Sequence, residues 1–144
     1  MKLVREHITR FERSSSEEDF KRNLNVGKIA LIKKWFKDLY YEEDDYTIND
    51  DLSIIFHEYL DLSNNPNITL IPDNLKVELT LDLANSYNII SLPSNLYIGG
   101  TLFINNTNIT SLPEDLEMGK NGTIFLGKNS KVKYIPDHLK KHIS

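Results

Sequence analysis

From Leu60 to Leu139 the chain alternates apolar and polar residues in short bursts rather than over one long period. Four apolar pairs, each split by one residue, stand out: Leu60/Leu62, Leu81/Leu83, Leu102/Ile104 and Ile124/Leu126. Each reads as a short strand with one buried face. A polar turn follows every pair, then one more apolar residue (Ile68, Ile89, Ile109 or Val132), then a proline. The prolines lie in Leu70-Ile71-Pro72-Asp73-Asn74-Leu75, Ser91-Leu92-Pro93-Ser94-Asn95-Leu96, Ser111-Leu112-Pro113-Glu114-Asp115-Leu116 and Tyr134-Ile135-Pro136-Asp137-His138-Leu139. Positions 72, 93, 113 and 136 are separated by 21, 20 and 23 residues, so four repeats align. Each proline fixes φ and starts a tight return whose leucine, three residues on, points back inside. A unit of this length cannot enclose a core of its own. The units must therefore stack, strand beside strand, into a solenoid with a parallel sheet on its inner side. Twelve of the fifteen asparagines lie from Asn64 onward, in turns where their amides can satisfy a bending backbone.

Upstream of the clear repeats, Thr47-Ile48-Asn49-Asp50-Asp51-Leu52-Ser53-Ile54 lines up with Leu70 to Val77 as a degenerate half-repeat, so the solenoid is expected to start near residue 46. Before it the period changes. Lys28 to Tyr40 sets Ile29, Ile32, Trp35, Phe36, Leu39 and Tyr40 on one helical face and Lys28, Lys33, Lys34, Lys37 and Asp38 on the other. Such a helix suits the N-terminal cap that a repeat stack requires; a partner-binding or membrane-surface helix is the alternative. Glu42 to Asp45 lacks the ligand spacing and turn glycine of a calcium loop and reads as an acidic linker. In residues 1–27, Leu3, Val4, Ile8 and Phe11 suit one helical stripe. Ser14-x-x-Glu17 or Ser15-x-x-Glu18 is a capping-box signal for a second short helix carrying Phe20 and Leu24. All four arginines, Arg5, Arg10, Arg13 and Arg22, are also there. The domain reading is a docking segment at 1–27, a helical cap and acidic linker at 28–45, and the solenoid at 46–144.

The run Leu60-Asp61-Leu62-Ser63-Asn64-Asn65, followed by Ile68 and by Ile71-Pro72-Asp73-Asn74-Leu75, resembles a leucine-rich repeat of the short bacterial and phage type with a Leu-Pro-x-x-Leu signature. The resemblance covers residues 60–139. It implies an α+β repeat fold: a leucine-rich-repeat solenoid with a short parallel β-sheet, an irregular convex side and an N-terminal α-helical cap. The third repeat is one residue shorter than the others between strand and proline, and the asparagine position after the strand becomes Ser86 and Thr107 in the second and third repeats. Phe11-Glu12-Arg13, with Leu24-Asn25-Val26-Gly27 further on, also resembles a leader found on unrelated proteins of large bacteriophages, with Ser14-Ser15-Ser16 in place of the usual glycine-containing run. That resemblance implies a docking or packaging tag. A tail folded against its own helix is the other reading of the segment.

Composition narrows the chemistry. The 144 residues contain no cysteine, which excludes disulfides, thiolate metal sites and cysteine nucleophiles, including that of the ubiquitin-ligase domains carried by some effectors with similar repeats. The net charge of -4 argues against nucleic-acid binding by phosphate neutralisation. No apolar run reaches a membrane span, and residues 1–11 lack an apolar signal-peptide core, so synthesis in the cytoplasm is expected, with the virion as destination if the leader resemblance holds. His138-x-x-x-His142 has helical i,i+4 spacing but lacks a nearby third metal ligand and sits at what reads as a frayed end. Four Asn-x-Thr sequons, at Asn67, Asn105, Asn108 and Asn121, read as by-products of an Asn/Thr-rich repeat. No catalytic residue, cofactor, small-molecule substrate or metal is expected.

What remains is a binding protein. The strand register that buries the apolar pairs turns Asp61, Asp82, Phe103 and Phe125 outward onto the concave face, with Tyr59, Thr80, Thr101 and Thr123 in the next column. Either the aromatic row is a protein-binding hot spot, or adjacent rings stack and shield the sheet. The expected function is non-enzymatic protein–protein interaction, phage-encoded and virion-associated, docking through Ile8, Phe11 and Arg13. The alternative is an effector-like module that takes a host protein on Tyr59, Asp61, Asp82, Phe103 and Phe125. No nucleic-acid or membrane partner is expected.

Overall fold

The computed structural model describes residues 13–144, with side chains from Glu17 onward. The described chain forms two compact units, one of residues 13–41 with Asp50–Leu52, the other of Glu42–Asn49 with Ser53–Ser144.

In the first unit a single helix, α1, runs Arg13–Asp38. It is longer than the helix the periodicity predicts over 28–40, and it absorbs the segment expected to start a second short helix at Ser14 or Ser15. Gly27 stands between the two predicted pieces, and its low helix propensity costs only about 1 kcal/mol against alanine, too little to divide a helix of this length. Ile29, Ile32, Trp35 and Leu39 are half-buried and Phe36 is buried. Phe20, Leu24, Val26 and Leu31 are exposed. The C-terminus closes by a Schellman pattern: the Tyr41 N–H donates to the Phe36 carbonyl at 3.0 Å and the Tyr40 N–H to the Lys37 carbonyl at 2.9 Å. Tyr40 takes φ +67° at the stop, and the Phe36 and Tyr41 rings meet edge to face at 6.5 Å, the apolar contact that accompanies this cap. Among the described residues no helix is long and apolar enough to cross a membrane.

The second unit is a parallel-strand β-solenoid of about three turns. Each full turn, here called a coil, contributes two short strands rather than the single inner strand expected. One sheet has the order β1-β2-β4-β6-β8 and the other β3-β5-β7-β9. The strands of the second sheet, β3 (Leu60–Asp61), β5 (Leu81–Asp82), β7 (Thr101–Phe103) and β9 (Thr123–Phe125), are those predicted from the split apolar pairs. Leu60 pairs with Leu81, Leu81 with Leu102 and Leu102 with Ile124. Seven of the eight pair members are buried; Leu126, in the last coil, is half-buried because no further coil covers it.

The return segments after Pro72, Pro93 and Pro113 make β4 (Leu75–Val77), β6 (Tyr97–Ile98) and β8 (Glu117–Met118) of the first sheet, which β2 (Ile54–Phe56) joins without a preceding proline. Its register joins Ile54 to Leu75 and Phe56 to Val77. The half-repeat alignment proposed from sequence is thus displaced by two residues, since it set Leu52 against Leu75. Thr47 and Ile48 belong instead to β1 (Tyr46–Ile48), which pairs antiparallel with β2 as a hairpin and covers the sheet's first edge. Ahead of it Glu43–Asp45 forms a 3₁₀ turn, with the Asp45 carboxylate accepting the Glu42 N–H at 2.8 Å, so the acidic stretch is exposed but structured.

Asparagine does more than soften the turns. Asn64, Asn85 and Asn106 occupy left-handed backbone at φ +54°, +62° and +57°, a region that asparagine tolerates better than most side chains. Their amides form a ladder, Asn85 donating to Asn64 at 3.0 Å and Asn106 to Asn85 at 2.8 Å. The ladder therefore runs one residue ahead of the position read from sequence. That next position is the buried hydroxyl of Ser86, donating to the Leu62 carbonyl, and of Thr107, donating to the Ile104 carbonyl at 2.8 Å. Asn74 and Asn95, also left-handed, repeat the device on the proline side with a 2.9 Å bond.

Where β6 turns into β7 the coils come so close that a Cβ on Gly99 would stand 2.1 Å from the Glu78 carbonyl oxygen. Glycine is required there by contact between backbones. At the far end the chain returns as a 3₁₀ helix, Asp137–His142, that buries Leu139. Ile143 then bridges Ile124, and the Ser144 N–H donates to the Ile124 carbonyl at 3.0 Å, covering part of the β9 edge. The C-terminus is packed, in contrast to the frayed end expected.

Candidate functional site

The four residues expected to face outward from the strand pairs are brought into one column. Asp61 pairs in register with Asp82, Asp82 with Phe103 and Phe103 with Phe125. Neighbouring parallel strands lie about 4.8 Å apart, so the column carries two carboxylates and then two phenyl rings across four strands. The two rings touch, with centroids 5.7 Å apart and planes at 64°, an edge-to-face arrangement worth about 0.5–1.5 kcal/mol beyond area burial. Contact between them does not hide them: Phe125 is 39% exposed and Phe103 half-buried.

The acidic end is oriented by its own strand. Asp61 Oδ1 accepts from the Ser63 N–H at 2.9 Å and from the Ser63 hydroxyl, and Asp82 Oδ1 accepts from the Ala84 N–H at 2.9 Å. These bonds reach two residues along the chain, the local pattern aspartate favours beside a turn. Tyr59, one position before β3, donates its hydroxyl to Asp82 Oδ2 at 2.7 Å. Of the expected neighbouring column of Tyr59, Thr80, Thr101 and Thr123, Tyr59 is thus tied to an aspartate of the next strand. Two adjacent carboxylates in register repel one another, a cost that an incoming cation relieves.

The remaining sequence expectations fall elsewhere. Ile8 and Phe11 lie outside the described residues. Arg13 opens α1, and its side chain also lies outside the description. His138 and His142 do not share a face, because a 3₁₀ helix brings i and i+3 together rather than i and i+4. Each imidazole instead donates to a backbone carbonyl of the preceding coil, His138 Nε2 to Leu116 at 2.8 Å and buried His142 Nδ1 to Gly122 at 2.7 Å. Of the sequon asparagines, Asn108 is bound into the stack by the Tyr87 carbonyl and by the Lys131 ammonium.

Two surface features have no counterpart in the sequence reading. The first sheet turns Ile55, Lys76, Tyr97 and Glu117 outward in a second column, where the Lys76 ammonium stands 5.3 Å from the Tyr97 ring centroid, a cation–π contact. The alternation in Leu75-Lys76-Val77 and Leu96-Tyr97-Ile98 carried that signal. The other is an open recess lined by Glu114, Lys133, Tyr134, Asp137, His138 and Lys140. Tyr134 donates its hydroxyl to Glu114, and that bond foremost holds the phenol above its ordinary pKa. The Lys140 ammonium, 2.8 Å away, holds Asp137 below the usual carboxylate range. With Glu114 bonded to Tyr134 and Asp137 paired to Lys140, the recess offers less to a ligand than the outward column does. Comparison with protein-family models, with curated proteins and with solved structures finds no match to this chain.

Proposed function

We propose that this protein is a non-enzymatic binding module of the leucine-rich-repeat kind that recognises another protein on the outward face of β3, β5, β7 and β9. The observation that carries the reading is the in-register Phe103–Phe125 pair standing beside Asp61 and Asp82. Aromatic rings supply large contact area at little entropy cost and dominate many interfaces. The column suits a partner surface with an apolar side chain for the rings and a lysine or arginine for the carboxylates. Leu60 to Asn65 and the four Leu/Ile-Pro elements support the family reading by resemblance. The test is affinity capture with the full chain, followed by calorimetry on the recovered partner. Phe103→Ala with Phe125→Ala should weaken binding by at least about 2 kcal/mol without unfolding the protein, because both side chains face outward. Unchanged affinity in the double variant moves the binding site off the sheet.

A second reading rests on α1. Phe20 and Leu31 are each 68% exposed, and with Leu24 they fall on one stripe of the helix, a surface suited to docking. Together with the leader resemblance this supports attachment through the N-terminal segment of a phage-encoded, virion-associated protein. Phe20→Ser with Leu24→Ser should then abolish capture while the Phe103/Phe125 variant leaves it intact.

A further inference from the structure

We propose that Asn121 is a site of spontaneous succinimide-mediated deamidation, and that its conversion releases the C-terminal tail from the last coil. Among the fifteen asparagines only Asn121 is followed by glycine. Glycine has no side chain to hinder attack by its own nitrogen on the preceding amide. In the reaction the Gly122 nitrogen gives up its proton to solvent base and bonds to Asn121 Cγ. The Cγ–Nδ2 bond breaks, and Nδ2 leaves as ammonia with a proton from solvent. The five-membered succinimide is then opened by water. Addition at the side-chain carbonyl gives aspartate; addition at the main-chain carbonyl gives isoaspartate, with one extra methylene in the backbone.

The fold separates Asn121 from the asparagines it uses for stacking. Asn64, Asn85 and Asn106 hold one another by their amides, Asn74 and Asn95 do the same, and Asn88 and Asn108 donate to carbonyls of the preceding coil. Asn121 is exposed, and among the described residues its amide makes no hydrogen bond. Of the links that lead from the first sheet to the second it sits in the longest: four residues join β8 to β9, where two join β6 to β7. The Gly122 N–H donates to the Gly119 carbonyl at 2.8 Å, and this bond must open before the nitrogen attacks. Lys120 and Asn121 are exposed while Gly119 and Gly122 are buried, so attack waits on local opening of this one turn, a smaller event than release of the ladder amides, which needs adjacent coils to part.

The consequence follows from what Gly122 touches. Its carbonyl accepts the Nδ1–H of buried His142, two residues before Ser144 closes on Ile124. An added methylene between residues 121 and 122 displaces that carbonyl and adds a charge at the corner, loosening the hold on residues 137–144. The rearrangement lies two residues ahead of Thr123, so it also reaches the strand that carries Phe125.

The test is to incubate the full folded chain at mildly alkaline pH and map peptides by mass spectrometry, with isoaspartyl methyltransferase labelling to mark isoaspartate. The expected result is conversion of Asn121 at least tenfold faster than of any other asparagine, loss of the label in Asn121→Gln, and faster hydrogen exchange of residues 137–144 in the converted protein. Conversion led by Asn129 or Asn67, or no conversion at Asn121, overturns the site. Conversion at Asn121 with unchanged exchange in the tail overturns the release.

Discussion

Asn85 offers the sharpest test of what holds the coils in register, because it combines a strained backbone with two hydrogen bonds. Its φ is +62°, its amide donates to Asn64 at 3.0 Å, and its oxygen accepts from Asn106 at 2.8 Å. Asn85→Ala removes both bonds. At about 0.5–1 kcal/mol each, the low end for partly solvated groups, that costs about 1–2 kcal/mol. A Cβ without a polar group to offset the left-handed conformation costs about 1–2 kcal/mol more, for a total near 2–4 kcal/mol. Asn85→Gly loses the same bonds and escapes the steric cost, but it adds roughly 0.4–1 kcal/mol of unfolded-state entropy. Stability should therefore fall in the order asparagine, glycine, alanine, with the last two separated by about 1 kcal/mol. Urea unfolding followed by far-ultraviolet circular dichroism measures it. If alanine matched glycine, the left-handed backbone would not be what selects asparagine. If glycine matched asparagine, the ladder would contribute nothing.

Leu83→Ala and Ile104→Ala, fully or nearly fully buried in neighbouring coils, should each cost roughly 2–5 kcal/mol in the same unfolding assay. Deleting residues 137–144 uncovers the β9 edge and should produce concentration-dependent association in sedimentation, whereas a monodisperse deletion would show that the edge needs no cover. Tyr134 is held above its ordinary pKa chiefly by its bond to Glu114, so the bond's contribution is present at neutral pH and lost as pH rises through the folded-state value. Glu114→Gln should shift one tyrosine to lower pH in an ultraviolet titration, with little change in stability because the pair is at the surface.

How much of this was legible in the sequence depended on strand length and on where each element finds its partner. The Leu-x-Leu pairs were readable because two apolar residues flank one outward residue in every coil, and Asp61, Asp82, Phe103 and Phe125 followed from that alternation alone. The first sheet was not, because the outward positions of its strands, Ile55, Lys76, Tyr97 and Glu117, share no chemistry. The half-repeat went out of register by two because β1 pairs antiparallel, and a hairpin satisfies the same apolar spacing as a coil. Gly27 concealed the continuity of α1, since local propensity favours a break there while length does not. Asn64, Asn85 and Asn106 were visible as turn residues, but their left-handed backbone and mutual bonds exist only once the coils stack.

The parallel, in-register stack that places Asp82, Phe103 and Phe125 side by side can be measured without knowledge of any partner. The chain has no cysteine, so paired substitutions label cleanly with pyrene maleimide. Asp82→Cys with Phe103→Cys, and Phe103→Cys with Phe125→Cys, each place two pyrenes on adjacent strands about 4.8 Å apart. Strong excimer emission is expected from both pairs, and little from Asp61→Cys with Phe125→Cys, three strands apart. Monomer emission from the adjacent pairs, or excimer from the distant one, contradicts the register on which the binding face rests.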